Sequence, residues 1–190
     1  DDIVEIGPGK GVLTGLLLER GSRVLAIEID PQLTDLLHKM FPPPLPFELV
    51  CMDACRYPYA NINAPYKVVA NLPYNISTPL LFRLIEEGRC LTEMILMVQK
   101  EVADRLAAPV GTKQYGSLSV LFQSWADIKV AFTVPPQCFR PRPKVSSAVI
   151  KVTLSKNKNI PLKDNHFFGK VVKASFSHRR KFLINALTDA

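Results

Sequence analysis

Short apolar runs alternate along most of this chain with stretches whose apolar positions recur at helical spacing. The runs are too short for helices and are bounded by Gly, Pro and Asp, so they read as strands, and the longer stretches read as helices. In order, the pattern predicts strand 2–6, helix 11–20, strand 23–29, helix 31–40, strand 47–51, strand 66–71, helix 77–88, strand 93–99, helix 100–107, helix 115–125, strand 127–133 and strand 145–153. Alternation of this kind implies an α/β fold, Rossmann-like, with a mostly parallel sheet. The last two strands have no helix between them, only a loop containing Pro135, Pro136, Pro141 and Pro143, which predicts an antiparallel pair at one edge. Beyond Lys163, the spacing of Phe167, Phe168, Val171, Val172 and Phe176, and then of Leu183, Ile184 and Leu187, predicts helical segments with a buried face. The expected division is a main domain over 1–155, with 156–190 as a linker and the beginning of a basic helical lobe.

The polar residues of interest fall where these strands end. Strand 2–6 runs into Gly7, Gly9 and Gly11, and glycines there let the backbone turn tightly and approach a ligand closely. The spacing is G-x-G-x-G rather than the G-x-G-x-x-G of a dinucleotide site, and Glu5 precedes it. An acid at that turn repels a pyrophosphate but suits a cation, which favours S-adenosylmethionine over NAD. A glycine-rich turn with no ligand is the plain alternative. Glu28, at the end of the second strand, is placed to bind a ribose hydroxyl pair. Asp53, after the third strand, can accept a hydrogen from an adenine amine, although an Asp at a strand end is more often a turn or capping residue.

After the fourth strand comes Asn71-Leu72-Pro73-Tyr74. The Asn71 side-chain carbonyl and the Leu72 backbone carbonyl offer two acceptors to an exocyclic amine, and the Tyr74 ring offers a stacking face. Holding both amine hydrogens biases the nitrogen toward a pyramidal form whose lone pair can attack a methyl group, so positioning and electrostatics supply the acceleration. No strong base is required before transfer.

The series EIGPGKGVLT, AIEID, MDA, NLPYNISTPLL and FRPRPKVSSAV resembles the bacterial small-subunit ribosomal RNA adenine dimethyltransferases, the KsgA-type enzymes related to the Erm resistance methylases. The resemblance covers most of the chain and includes the stretch from Phe139 to Val149, which the general class I methyltransferase fold does not require. It implies that Gly7, Glu28, Asp53 and Asn71 contact the cofactor or target, that Glu5, Gly9 and Gly11 shape the pocket, and that Phe139 is a second stacking or gating aromatic. The implied activity is transfer of methyl groups from S-adenosylmethionine to adenosine amines of small-subunit ribosomal RNA, within a subunit particle, during ribosome maturation. Met52 stands where the family usually has Gly, so the loop around Asp53 is expected to be stiffer. The family also carries a helical Gln-Asn-Phe-Leu segment ahead of the first strand and a full helical lobe at the end, so the chain is read as a piece of a longer protein.

Charge adds an independent pointer. Residues 1–136 hold 12 basic and 15 acidic side chains, whereas residues 137–190 hold 12 basic and 2 acidic. Such asymmetry suggests a polyanionic partner, with a solvated basic tail as the alternative. Arg140, Arg142 and Lys144 alternate with prolines along an extended strip, and Arg179, Arg180 and Lys181 form a second cluster; both are candidate RNA contacts. Cys51, Cys55, Cys90 and Cys138 lack the spacing of a zinc site, so no metal is expected and reduced thiols in a cytoplasmic enzyme are. No apolar stretch is long enough to span a bilayer, and the protein is expected to work as a monomer. A DNA adenine methylase and a non-catalytic RNA-binding assembly factor are the competing readings.

Overall fold

The computed structural model describes residues 1–72, 77–155, 164–177 and 182–188. Pro73, Tyr74, Arg179, Arg180 and Lys181 therefore lie outside the described residues. Seven strands form one sheet: β1 (Asp2–Ile6), β2 (Arg23–Glu28), β3 (Phe47–Cys51), β4 (Tyr66–Asn71), β5 (Leu91–Gln99), β6 (Ala126–Val134) and β7 (Ser147–Leu154), in the spatial order β3-β2-β1-β4-β5-β7-β6. The first five pair in parallel, and β7 is the reversed strand, inserted between β5 and β6 and antiparallel to both. The antiparallel pair expected at one edge is thus present.

Helices α1 (Val12–Glu19), α2 (Pro31–Met40), α3 (Ser77–Glu87), α4 (Lys100–Leu106) and α5 (Ser117–Gln123) fill the connections, and α6 (Asn165–Ser175) and α7 (Leu183–Thr188) follow the sheet. The helix expected at 115–125 is shorter at both ends, because Gly116 in extended backbone starts it and Ser124 closes it. Two short 3-10 turns, Tyr59–Asn61 and Pro136–Cys138, had no counterpart in the sequence pattern. Entry into α2 is set locally. The Asp30 carboxylate accepts from the Gln32 N–H at 2.8 Å, Pro31 occupies the first turn, and His38 and Lys39 sit in the last, where cations suit the helix dipole.

The core lies along the middle of the sheet, where Val4, Val68, Met94, Leu96 and Ile150 are essentially inaccessible, and Phe82 of α3 meets Phe122 of α5 with ring centroids 4.6 Å apart. Strand order reverses between β1 and β4, so the loops leaving these two strands diverge and open a crevice at the C-terminal end of the sheet. The register brings Ile6 beside both Ile27 and Ala70, so Gly7, Glu28 and Asn71 emerge side by side there.

Candidate active site at the strand ends

Gly7, the residue after β1, donates its N–H to the Ile27 carbonyl at 2.9 Å and has φ of 68°. Gly9 has φ of 58°, and a side chain built on either glycine would meet nothing within 4 Å. The backbone conformation demands glycine, and the empty space beside it is room into which a ligand fits. Gly11 differs. A methyl group there would come within 2.7 Å of Phe41 and 2.8 Å of Leu37, so this glycine lets α1 pack tightly on α2 instead of facing open space.

Glu28 is buried, and both of its carboxylate oxygens are engaged. One carboxylate oxygen accepts from the N–H groups of Ile29 at 2.8 Å and Asp30 at 3.0 Å, and the other accepts from Gly9 at 3.2 Å. Its backbone carbonyl accepts from Met52 at 2.8 Å, which fastens the end of β3 alongside. Asp53 then uses one carboxylate oxygen to accept the Cys55 N–H at 2.8 Å, while the other faces Arg56 at 4.0 Å. The turn role is therefore real for one oxygen, and the second remains at the same rim. Ile29 and Met52 stand exposed beside these two acids, giving apolar surface that a flat ring can cover.

Glu5 is buried near the end of β1 and accepts a hydrogen bond from the Thr14 hydroxyl at 2.7 Å. Burial pushes its carboxyl above the ordinary range, and the Thr14 bond opposes part of that shift. Thr14, which the linear pattern does not single out, is thereby tied to the candidate site. It is a lone hydroxyl in an otherwise apolar helix face, three residues after Gly11, and it is the buried residue of α1.

Asn71 ends β4 opposite Met97 with its side chain exposed, and Leu72 is buried and donates to the Met97 carbonyl at 3.2 Å. The proline-rich segment reaches the same end of the sheet. Val134 pairs with Ser147 and Ser147 with Gln99, two residues beyond the Met97 that faces Asn71, so residues 135–146 leave and rejoin the sheet at the end where Asn71 emerges, with β5 between them and β4. Within that segment Phe139 is half-buried, and Arg140, Arg142 and Lys144 are exposed. The four cysteines are free. No helix of the described residues is long and apolar enough to cross a membrane.

Two carboxylates, a glycine turn with open space, a buried acid and an exposed amide thus converge on one crevice, a set suited to a cationic, ribose-bearing ligand and an amine-bearing ring. Comparison with known proteins agrees. The family model described as ribosomal RNA adenine dimethylase matches residues 1–190. The chain is 45% identical over 194 residues to the ribosomal RNA small subunit methyltransferase A of Streptococcus pneumoniae, covering 98% of this chain and 67% of that protein. It is 44% identical over 195 residues to the protein of the same name from Streptococcus thermophilus, covering 99% and 67%. Among solved structures, a dimethyladenosine transferase from Plasmodium falciparum superposes with a TM-score of 0.85 at 28% identity, over 98% of this chain and 67% of that one. The 23S rRNA methyltransferase ErmE shares the fold, with a TM-score of 0.77 at 23% identity over 99% and 75%.

Proposed function

This chain belongs to the ribosomal RNA adenine dimethylase family, and from that premise we propose that it transfers methyl groups from S-adenosylmethionine to the exocyclic amine of adenosines in small-subunit ribosomal RNA. The observation that carries the reading is the convergence of Gly7, Glu28 and Asn71 at adjoining strand ends, with Asp53 on the same rim. The open space beside Gly7 and Gly9 fits the cofactor, and an acid at Glu5 suits its cationic groups. When bound, S-adenosylmethionine supplies an activated methyl group on a positively charged sulfur.

The chain's own residues do the rest. Glu28 holds the ribose hydroxyls, and the Asp53 oxygen that faces Arg56 accepts from the adenine amine. Ile29 and Met52 cover the ring faces. Asn71 and the Leu72 carbonyl each take one hydrogen of the target amine and keep its lone pair aimed across the crevice, and Tyr74 and Phe139 stack on the target base. The nitrogen turns acidic only as it gains the methyl group, so its proton leaves afterwards to solvent. Arg140, Arg142 and Lys144, with Arg179, Arg180 and Lys181, track the RNA backbone, and 156–190 begins a lobe devoted to that contact. The working form is a cytoplasmic monomer acting on a small-subunit particle.

The test is to incubate the protein with labelled cofactor and small-subunit particles from cells lacking the corresponding gene, then to map modified adenosines by mass spectrometry. Dimethyladenosine at discrete positions is expected, and Asn71→Ala is expected to abolish it while cofactor binding persists in weakened form. Methylation of duplex DNA but not of RNA, or undiminished transfer by the Asn71 variant, overturns the reading.

A further inference from the structure

A cleft of about 460 Å³ opens between α3, α5 and α6. Trp125 on its wall immediately precedes Ala126, which pairs with Leu154 at the N-terminal end of the parallel strands, so the cleft lies at the opposite end of the sheet from the glycine turn. Phe82, Trp125 and Phe168 line it, and the exposed side chains of Glu86, Lys170 and Lys173 border it. Lys170 and Lys173 are three apart on α6 and share one face of that helix. Gly169 lines the cleft as well, and a side chain there would meet nothing within 4 Å. A glycine within a helix costs about 1 kcal/mol relative to alanine, and here it keeps the wall open.

We propose that this cleft is a second RNA-contact site, taking one unpaired base of the substrate strand against Trp125 while Lys170 and Lys173 meet the flanking phosphates; the inference rests on the reading of the chain as an RNA-modifying enzyme. Aromatic walls accept any base because every base has a stacking face, and the volume suits a nucleotide. The lysines supply charge complementary to phosphate, in the segment 137–190 where 12 basic residues face 2 acidic ones. Glu86 adds an acceptor for a base amine. An apolar peptide would leave both lysines without a role.

Trp125 is the chain's single tryptophan, so its emission reports on this cleft alone. The full chain is titrated with a labelled single-stranded oligoribonucleotide of about 12 nucleotides, following Trp125 emission and RNA anisotropy together. The two signals are expected to saturate with one midpoint. Gly169→Leu, which fills the cleft while favouring the helix, is expected to remove the quenching and weaken binding by about tenfold, with an unfolding midpoint no lower than the parent's. Lys170→Glu with Lys173→Glu is expected to weaken binding and lower its salt dependence. The proposal fails if RNA binds with Trp125 emission unchanged, or if the Gly169 variant binds like the parent. It also fails if quenching requires ribosomal protein, seen with the small-subunit particle but not with stripped RNA. Absence of binding to the oligoribonucleotide overturns this site, and absence of binding to small-subunit particles as well removes the proposed function itself.

Discussion

The backbone N–H of Gly9 donates to the carboxylate of Glu28 across 3.2 Å, so the turn after β1 is tied to the end of β2 by the side chain assigned to the ribose. A carboxylate offers about four lone-pair sites, and three backbone N–H groups already use this one. In the proposed role, ligand and glycine turn share Glu28, whose bond to Gly9 shapes the turn without a ligand.

Glu28→Gln is expected to lower cofactor affinity by about a hundredfold and stability by about 1–3 kcal/mol, since an amide must turn a donor toward at least one N–H that now finds an acceptor. Calorimetry with S-adenosylhomocysteine and urea unfolding measure the two effects. Parent-like values in both would remove Glu28 from its role.

Gly7→Ala and Gly11→Ala separate a ligand cradle from a packing contact. Both incur about 1–2 kcal/mol for a side chain at positive φ, but only the Gly11 methyl collides with Phe41 and Leu37, adding about 1–3 kcal/mol of overpacking. The Gly11 variant should unfold at clearly lower urea, whereas the Gly7 variant should lose more cofactor affinity. The opposite order would reverse the assignments.

Glu5→Gln should show its effect through pH. Burial raises the Glu5 carboxyl above its ordinary value of 4.5, so the folded state favours the protonated form. Glu5 therefore contributes most stability below that value and loses it as pH rises through the raised folded value. Gln keeps an acceptor for Thr14 without a charge, so the variant's melting temperature should gain on the parent's as pH climbs from 4 to about 8, while its cofactor affinity at neutral pH falls by about tenfold for want of the negative charge. A gap in melting temperature that does not vary with pH would show that Glu5 titrates normally.

Replacing Arg140, Arg142 and Lys144 together by Ala should reduce the slope of log affinity against log salt by about 2 for single-stranded RNA, at about 0.7 per phosphate contact. Anisotropy titrations across a salt series read this directly. An unchanged slope would mean that the strip is merely solvated.

Most strands were legible because each is an apolar run stopped by Gly, Pro or an acid, and Gly7, Glu28, Asp53 and Asn71 were conspicuous for standing where those runs stop. What the linear pattern hid was pairing. That β7 inserts between β5 and β6 follows from long-range register, such as Val98 with Ala148 and Thr133 with Ala148, and no local periodicity encodes it. The packing role of Gly11 was likewise hidden, because it depends on Phe41, thirty positions away and brought near only by the fold. Thr14 was overlooked because a hydroxyl in an apolar helix acquires meaning only once Glu5 is seen to be buried against it.

The placement of β7 also orders events during synthesis. Among the described residues β6 pairs only with β7, so a nascent chain that has reached Val134 has not yet made the strand on which β6 docks. Only after Leu154 has left the ribosome can the sheet close, and only then are both ends of the 135–146 arc anchored. The arc that carries Phe139 and the basic strip is thus held at both ends only once β7 is in place.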